Sequence, residues 1–293
     1  IKNDKKDQEI FKGSIASIAR LEENKNLPTE STLGKKNSDI VGTLNYIPNH
    51  ILKLNSNNLL KNVQENIFKS KIDVKNFDES ILKIQNHIFK TKIHKKIVLS
   101  KKKFFKNLFN IKNINDLNIT SFFHLRAVKK SKKENFIGFH RETFYSDYDF
   151  TKKVINVSVP LLNYSAKNSM KVIDGSHIIP DEKIKTKKLS SKISGVKKNS
   201  IKHKLGMPYN PKIIISGINI KKAKRLKCSV GDLIIFSAML IHGGGINYTN
   251  KVRFSLDFAL IDKRYLKNKK LKKHHISYSN NKNYWTNIWN YFL

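Results

Sequence analysis

Short apolar segments separated by turn residues dominate the chain from about residue 118 onward, and this pattern limits the possible folds more than any other feature. The segments are Thr120–Val128, Phe136–Phe139, Val154–Leu162, Ile213–Ile220, Leu233–His242 and Val252–Ile261. Apolar and polar residues alternate along Ile155–Val159 and Phe254–Phe258, as in a strand that buries one face. Many short strands with turns between them favour an antiparallel sandwich or barrel.

Helical patterns precede this β region. Apolar residues recur at helical spacing over residues 58–70 and 77–90, and a third helix is predicted over Lys101–Phe109. Residues 1–50 are polar and weakly patterned, which indicates an arm with one short helix around Gln8–Glu22. We therefore expect a mainly β protein with flanking helices.

Composition and pattern together divide the chain into three parts. The predicted parts are an N-terminal arm and helical support (1–117), a β core (118–265) with a lysine-rich insertion or lid at about 181–211, and a C-terminal tail (266–293). Trp285 and Trp289 are four residues apart, which predicts a short C-terminal helix that packs on the core.

The formal net charge of +36 first suggests a nucleic acid or an anionic membrane as the partner. Only six of the 58 basic residues are arginines, however, and nucleic-acid recognition favours the arginine fork. The lysines are spread along the chain, which is typical of a solvated surface. Nucleic acid is therefore not the expected partner.

Two absences bear on the location of the protein. Cys228 is the only cysteine, so no intrachain disulfide can form and a reducing compartment fits. No run of 18 apolar residues is present, so no transmembrane helix is expected. These observations favour a cytoplasmic protein, and no pattern indicates its oligomeric state.

His140, Glu142 and His242 form a candidate metal site. Residues i and i+2 of a strand point to the same side, so His140 and Glu142 can converge on one ion if they lie on a strand. His242 ends a strongly apolar segment. Two histidines and one carboxylate fill one face of an octahedron and leave positions for a co-substrate and O₂, which suits non-haem iron(II).

Arg253 and Ser255 are candidates for binding a co-substrate carboxylate. A hairpin turn through Gly243–Asn250 would return the chain beside His242. The Arg253 guanidinium could then hold a remote carboxylate in a bidentate manner while Ser255 adds a hydrogen bond.

The order of these motifs resembles the phytanoyl-CoA dioxygenase-like branch of the iron(II)- and 2-oxoglutarate-dependent oxygenases. The resemblance covers roughly Phe123–Ile261, about half of the chain. The matching motifs are the His140-x-Glu142 pair, Val159-Pro160-Leu161, Asp174-Gly175-Ser176-His177 with Pro180, Gly231–Phe236, His242-Gly243 with Asn247, and Arg253-x-Ser255. Glu142 departs from the commoner pattern, in which aspartate is the acid. The stretch His140–Met170 looks most like oxygenases associated with carbohydrate and aminoglycoside gene clusters.

The resemblance implies a double-stranded β-helix, also called a jelly roll or cupin-like core. It implies that His140, Glu142 and His242 hold Fe(II), and that Arg253 and Ser255 bind the distal carboxylate of 2-oxoglutarate. The implied reaction is hydroxylation of a small organic substrate with O₂, with release of succinate and CO₂. Desaturation or epimerisation remains open.

Several further residues have both a functional and a structural interpretation. Arg126 and Lys129 are candidates for binding the co-substrate carboxylate or an anionic substrate, and Asn156 for a pocket contact. Asp257 either faces the pocket or pairs with a lysine. Four further candidates either contact the substrate or stabilise the fold: His177, Phe144, Tyr145 and Tyr148.

Two other classes of protein remain open. A cupin-like metal enzyme or isomerase without 2-oxoglutarate would need no carboxylate clamp at Arg253 and Ser255. A basic nucleic-acid-binding protein with a β-barrel scaffold would bind tightly and with a steep salt dependence.

Overall fold

An antiparallel sheet lies at the centre of the fold. The computed structural model describes residues 49–54, 57–131, 138–145, 149–209, 211–266 and 285–288. The strands in chain order are β1 (Asn49–Lys53), β2 (Leu117–Thr120), β3 (His124–Val128), β4 (Ile155–Leu162), β5 (Lys171–Val172), β6 (Lys185–Lys188), β7 (Lys212–Ser216), β8 (Lys224–Arg225), β9 (Asp232–Ser237), β10 (His242–Gly243), β11 (Arg253–Asp262) and β12 (Trp285–Asn287).

Within the described part of the chain, these strands form sheets of seven, three and two strands. The major sheet has the order β1-β9-β4-β11-β2-β12, and β3 also pairs with β11. The minor sheet has the order β10-β5-β8, and β6 pairs with β7 in a separate hairpin. The prediction of a β-rich core with flanking helices is confirmed.

The two faces of the major sheet differ in polarity because side chains alternate along each strand. On β4 and β11, side chains such as Val157, Val159 and Leu256 belong to the large apolar core that also includes the helices. The alternate residues, among them Ser158 and Ser255, line a cavity. Burial of each aliphatic side chain contributes about 1.5–3 kcal/mol, so the apolar face holds the sheet on the helices.

Four helices precede the core strands in the described residues. They are α1 (Asn57–Lys69), α2 (Phe77–Phe89), α3 (Ile93–Ser100) and α4 (Lys102–Phe109). Three of them match the predicted helices. The sequence did not predict α3, since its eight residues include the β-branched run Ile97-Val98, and the left-handed residue Lys92 (φ 53°) separates it from α2.

The structure corrects several element predictions. The segment Thr120–Val128 is two strands, β2 and β3, with a bend between them. Trp285 belongs to β12, which pairs with β2, so a helix at this position is wrong; Trp289 lies outside the described residues. The predicted arm supplies β1, an edge strand that pairs with β9, whereas the helix predicted around Gln8–Glu22 lies outside the described residues.

The lysine-rich insertion folds as the β6–β7 hairpin with two short helices, α5 (Ser191–Ser194) and α6 (Ile201–Lys204), between its strands. Its segment Leu205–Pro208 returns to the cavity, and Leu205 is buried in the large core. The insertion is therefore both surface and cavity wall. No helix among the described residues is long and apolar enough to cross a bilayer.

Candidate metal centre

His140 pairs directly with His242, the first residue of β10, in an isolated antiparallel bridge. The His140 N–H donates to the His242 carbonyl, and the His242 N–H donates to the His140 carbonyl, both at 2.9 Å. This reciprocal pair places the two rings side by side, with centroids 4.5 Å apart. Two histidines 102 positions apart in the sequence thus share one face because of backbone pairing.

Glu142 reaches the same place from a turn and not from a strand. It begins the 3₁₀ helix Glu142–Tyr145, and its N–H donates to the Ala238 carbonyl at 2.9 Å. The prediction that His140 and Glu142 converge as residues i and i+2 of one strand is wrong in this respect, because the chain leaves the extended conformation after Arg141. The predicted convergence itself is observed: Glu142 Oε1 lies 4.0 Å from His140 Nε2 and 3.8 Å from His242 Nε2.

Both imidazoles present Nε2 to this cluster. The Nδ1 atom of His140 lies 3.2 Å from the Gly138 carbonyl, and that of His242 lies 2.9 Å from the Leu240 carbonyl. A carbonyl only accepts, so Nδ1 carries the proton in each ring and Nε2 keeps its lone pair. The three possible ligand atoms lie within 4.8 Å of one another. Two nitrogens and one carboxylate oxygen fit iron(II) well.

Burial sets the charge state of the cluster. It lowers the pKa of His140 and of His242 to about 4, and the hydrogen bonds to Gly138 and Leu240 act in the opposite direction. Both rings are therefore neutral at neutral pH and need not lose a proton to bind a metal. Burial also raises the pKa of Glu142, while His242 lowers it. A bound cation would favour the carboxylate.

The cluster lies in the wall of a cavity of about 250 Å³. Seven of the residues proposed from the sequence line this cavity, whereas Lys129, also proposed for the co-substrate carboxylate, does not; the seven are His140, Glu142, His242, Arg253, Ser255, Asn156 and Arg126. They come from the major sheet, from the bridge between His140 and β10 of the minor sheet, and from the turn after His140. The structure thus brings the candidate site residues together.

Arg253 reaches the cavity by a route that differs from the predicted hairpin. β10 pairs with β5 in the minor sheet, whereas β11 pairs with β2, β3 and β4 in the major sheet. His242 and Arg253 therefore reach the cavity from two different sheets. The buried Arg253 guanidinium lies over the Tyr164 ring, 5.0 Å from its centroid, and donates to the Asn168 carbonyl. Its Nε has no hydrogen-bond partner among the described residues.

A polar network crosses the cavity wall beside Ser255. Asp257 accepts from Arg126 Nε at 3.1 Å and from the Ser158 hydroxyl at 2.6 Å. Arg126 also donates to the Leu205 carbonyl at 2.9 Å, which connects the wall to the insertion. Asp257 thus faces the pocket and pairs with an arginine, and not with a lysine.

The other candidate residues are divided between the cavity and the core. The buried Asn156 Nδ2 has no hydrogen-bond partner among the described residues, so a ligand in the cavity could satisfy it. Lys129 lies over the Phe77 ring at 4.4 Å, whereas His177 is buried away from the cavity lining. Tyr145 lines the cavity and Phe144 packs against Arg141, and Tyr148 lies outside the described residues.

The sequence did not reveal two groups of cavity residues. Leu205–Pro208 come from the insertion, and Phe77, Asp78 and Ile81 come from α2. Both groups lie far in sequence from the motifs, and only tertiary packing brings them to the site. The lysine-rich composition, which predicts a surface insertion or lid at about 181–211, is the signal in the sequence for the first group.

Comparison with known proteins supports the fold. No family model matches the sequence, and no curated protein shows significant sequence similarity. The structure is similar to that of EvdO2 from Micromonospora carbonacea var. aurantiaca complexed with 2-oxoglutarate, with a TM-score of 0.54 and 10% identity over 78% of this chain and 92% of EvdO2. At 10% identity, this similarity shows a shared fold. It therefore confirms, at the level of the fold, the family resemblance found in the sequence.

Two other similar structures have TM-scores too low to support an argument. They are the non-heme monooxygenase ThoJ (TM-score 0.48, 13% identity, 76% of this chain and 77% of ThoJ) and the epimerase SnoN in complex with Fe³⁺, alpha ketoglutarate and nogalamycin RO (TM-score 0.41, 10% identity, 77% of this chain and 83% of SnoN).

Proposed function

We propose that this protein is an iron(II)- and 2-oxoglutarate-dependent dioxygenase with a double-stranded β-helix core, located in the cytoplasm. It hydroxylates a small organic substrate, and a sugar or sugar-linked metabolite is the first class to test. The observation that carries the proposal is the convergence of His140 Nε2, His242 Nε2 and Glu142 Oε1 in a cavity that also contains a buried arginine. The shared fold of EvdO2, a protein crystallised with 2-oxoglutarate, supports it.

The seven candidate residues in the cavity have defined tasks under this proposal. His140, Glu142 and His242 would hold the metal, and the carbonyls of Gly138 and Leu240 keep the two Nε2 atoms directed at it. When bound, iron(II) and 2-oxoglutarate supply the oxidising chemistry that turns a substrate C–H and O₂ into a hydroxylated product, succinate and CO₂.

Arg253 and Ser255 would bind the distal carboxylate of 2-oxoglutarate. One Arg253 Nη is occupied by the Asn168 carbonyl, but Nε is buried and unpaired among the described residues. A buried donor without a partner costs about 1–3 kcal/mol, so a carboxylate at this position would be strongly favoured. Arg126 and Asn156 lie on the same wall and would contact the co-substrate or the substrate.

Ligand binding by the purified protein tests the proposal. We expect 2-oxoglutarate to bind only after Fe(II) or Mn(II) has been added, and the Fe(II) protein to form succinate from 2-oxoglutarate and O₂. The variant His242→Ala should lose both properties and keep its circular-dichroism spectrum. Metal-independent binding, or no binding at all, would reject this function.

A cupin-like metal enzyme without 2-oxoglutarate is the second candidate. The observation in its favour is that Arg253 already has intramolecular contacts, with Asn168 and with the Tyr164 ring. This candidate predicts that the metal binds normally while 2-oxoglutarate does not, so the same titration separates the two.

A further inference from the structure

Arg141 stands between two of the candidate metal ligands, yet its side chain points away from the cavity. It is 0% exposed and is among the largest fully buried side chains of the described residues. A buried guanidinium requires hydrogen-bond partners, because removal of a charge from water is costly. The identity of those partners shows what Arg141 is connected to.

All three partners lie on one turn, Ser176–Asp181. Arg141 Nη1 donates to the Ile179 carbonyl at 2.8 Å and to Asp181 Oδ1 at 2.7 Å, and Nη2 donates to the Ser176 carbonyl at 2.6 Å. A single side chain therefore fixes the segment that carries His140 to a turn 35–40 residues away in the sequence.

The same turn also contacts the chain on the other side of Glu142. Asp181 Oδ1 accepts a second hydrogen bond from the Thr143 hydroxyl, at 3.1 Å. The two residues that flank Glu142 are thus held by one carboxylate oxygen. This arrangement restricts rotation of the short backbone segment from which the Glu142 side chain projects.

The turn further contacts the strand that carries the third candidate ligand. The Ser176 hydroxyl accepts from the Ile241 N–H at 2.8 Å. Just before the turn, the Ile173 N–H donates to the Ile241 carbonyl at 2.9 Å. Ile241 precedes His242 directly. One turn therefore holds the backbone next to all three members of the candidate metal site.

We infer that Arg141 and Asp181 are positioning residues of the metal centre, which act by fixing the backbone on either side of Glu142 and beside His242. The inference rests on the proposed function, since it assigns a task relative to the metal. When residues that hold metal ligands in place are mutated, metal affinity typically falls by about 10- to 100-fold. An ion pair that served the fold alone would leave the metal affinity of the folded protein unchanged.

Co(II) binding by the apoprotein tests this inference without any turnover. We expect wild type to bind one Co(II) per chain and to show a visible ligand-field spectrum. Arg141→Met and Asp181→Ala should bind Co(II) about 10- to 100-fold more weakly and with an altered spectrum, whereas Arg141→Lys should recover part of the affinity. Near-ultraviolet circular dichroism and thermal unfolding identify the variants that remain folded.

Arg264→Met is the matched control, because it also breaks an arginine–aspartate pair, with Asp262, but at a partly exposed position outside the cavity. Wild-type Co(II) affinity and spectrum in folded Asp181→Ala would overturn the inference, even if Arg141→Met fails to fold. Failure of wild type itself to bind Co(II) would instead reject the proposed function.

Discussion

At the scale of single residues, the buried guanidinium of Arg253 is the group most specific to the proposed co-substrate. We predict that Arg253→Ala raises the Kd for 2-oxoglutarate about 10- to 100-fold, because a charge-assisted hydrogen bond is lost, while metal affinity stays unchanged. Isothermal titration of the Mn(II) protein measures both constants.

Arg225→Ala provides the control for that experiment. Arg225 also donates to backbone carbonyls, those of Ser169 and Ile246, and lies near a tyrosine ring, but it does not line the cavity. An equal loss of 2-oxoglutarate affinity in both variants would show that the effect is indirect.

A second single-residue prediction concerns His94, which is 0% exposed and packs against Phe123 and Phe258. Burial lowers the pKa of His94 to about 3, with Lys95 as the next cause. In the unfolded chain the His94 imidazole takes up a proton near pH 6.5, whereas in the folded chain the buried ring stays neutral down to about pH 3. The contribution of the neutral His94 ring to the free energy of unfolding is therefore complete above pH 6.5 and is lost as the pH falls towards 3.

The free energy of unfolding of wild type should therefore fall when the pH is lowered from 7.5 to 5.0. We predict that it falls by about 2 kcal/mol less in His94→Phe. Urea unfolding at the two pH values measures the loss, and substitution of the exposed His87 by Asn serves as the control. The prediction fails if the loss is the same in His94→Phe and in wild type.

At the scale of elements, the insertion segment Leu205–Pro208 approaches β3 closely at Gly206, beside the cavity. Gly206 has φ +83°, and a Cβ atom there would lie 2.6 Å from the His124 ring. Any side chain would therefore strain the backbone and also push the segment away from β3.

Backbone strain alone is expected to cost about 1–3 kcal/mol, and we predict that Gly206→Ala lowers the free energy of unfolding by more than this. We also predict faster amide hydrogen exchange over residues 201–208. Gly195→Ala is the matched control, since Gly195 has φ +64° in the same insertion with no atom within 4 Å of a Cβ. Equal destabilisation in the two variants would mean that the contact with His124 contributes nothing.

Patterns within single elements were predictable from the sequence, whereas pairings between distant elements were not. Alternation along β4 and β11 predicted which face is polar, because that pattern is local and has period two. The reciprocal pairing of His140 with His242 and the placement of His242 and Arg253 in different sheets could not be predicted, because they depend on strand partners far apart in the sequence. The contacts of Arg141 could not be predicted either, since a single arginine between two candidate metal ligands forms no periodic pattern.

At the scale of the whole molecule, the net charge of +36 raises the question of polyanion binding. From Lys183 to Gly231 the chain contains no acidic residue, and much of this stretch is exposed. We predict non-specific DNA binding only, with a Kd no tighter than about 10⁻⁶ M at physiological salt and a linear fall of log K with log salt. Fluorescence anisotropy with a labelled duplex from 0.05 to about 0.2 M salt measures this dependence. A Kd near 10⁻⁸ M at physiological salt would favour the nucleic-acid-binding alternative.

The edge strand β1 has a consequence for the behaviour of shortened chains. It covers β9, whose six residues Asp232–Ser237 are all buried. A chain that began after residue 54 would leave the apolar run Leu233–Phe236 with unpaired backbone N–H and C=O groups, which is a template for intermolecular strand addition. Residues 49–53 thus protect the protein from self-association, although they lie about 90 positions before His140, the first candidate metal ligand in the sequence.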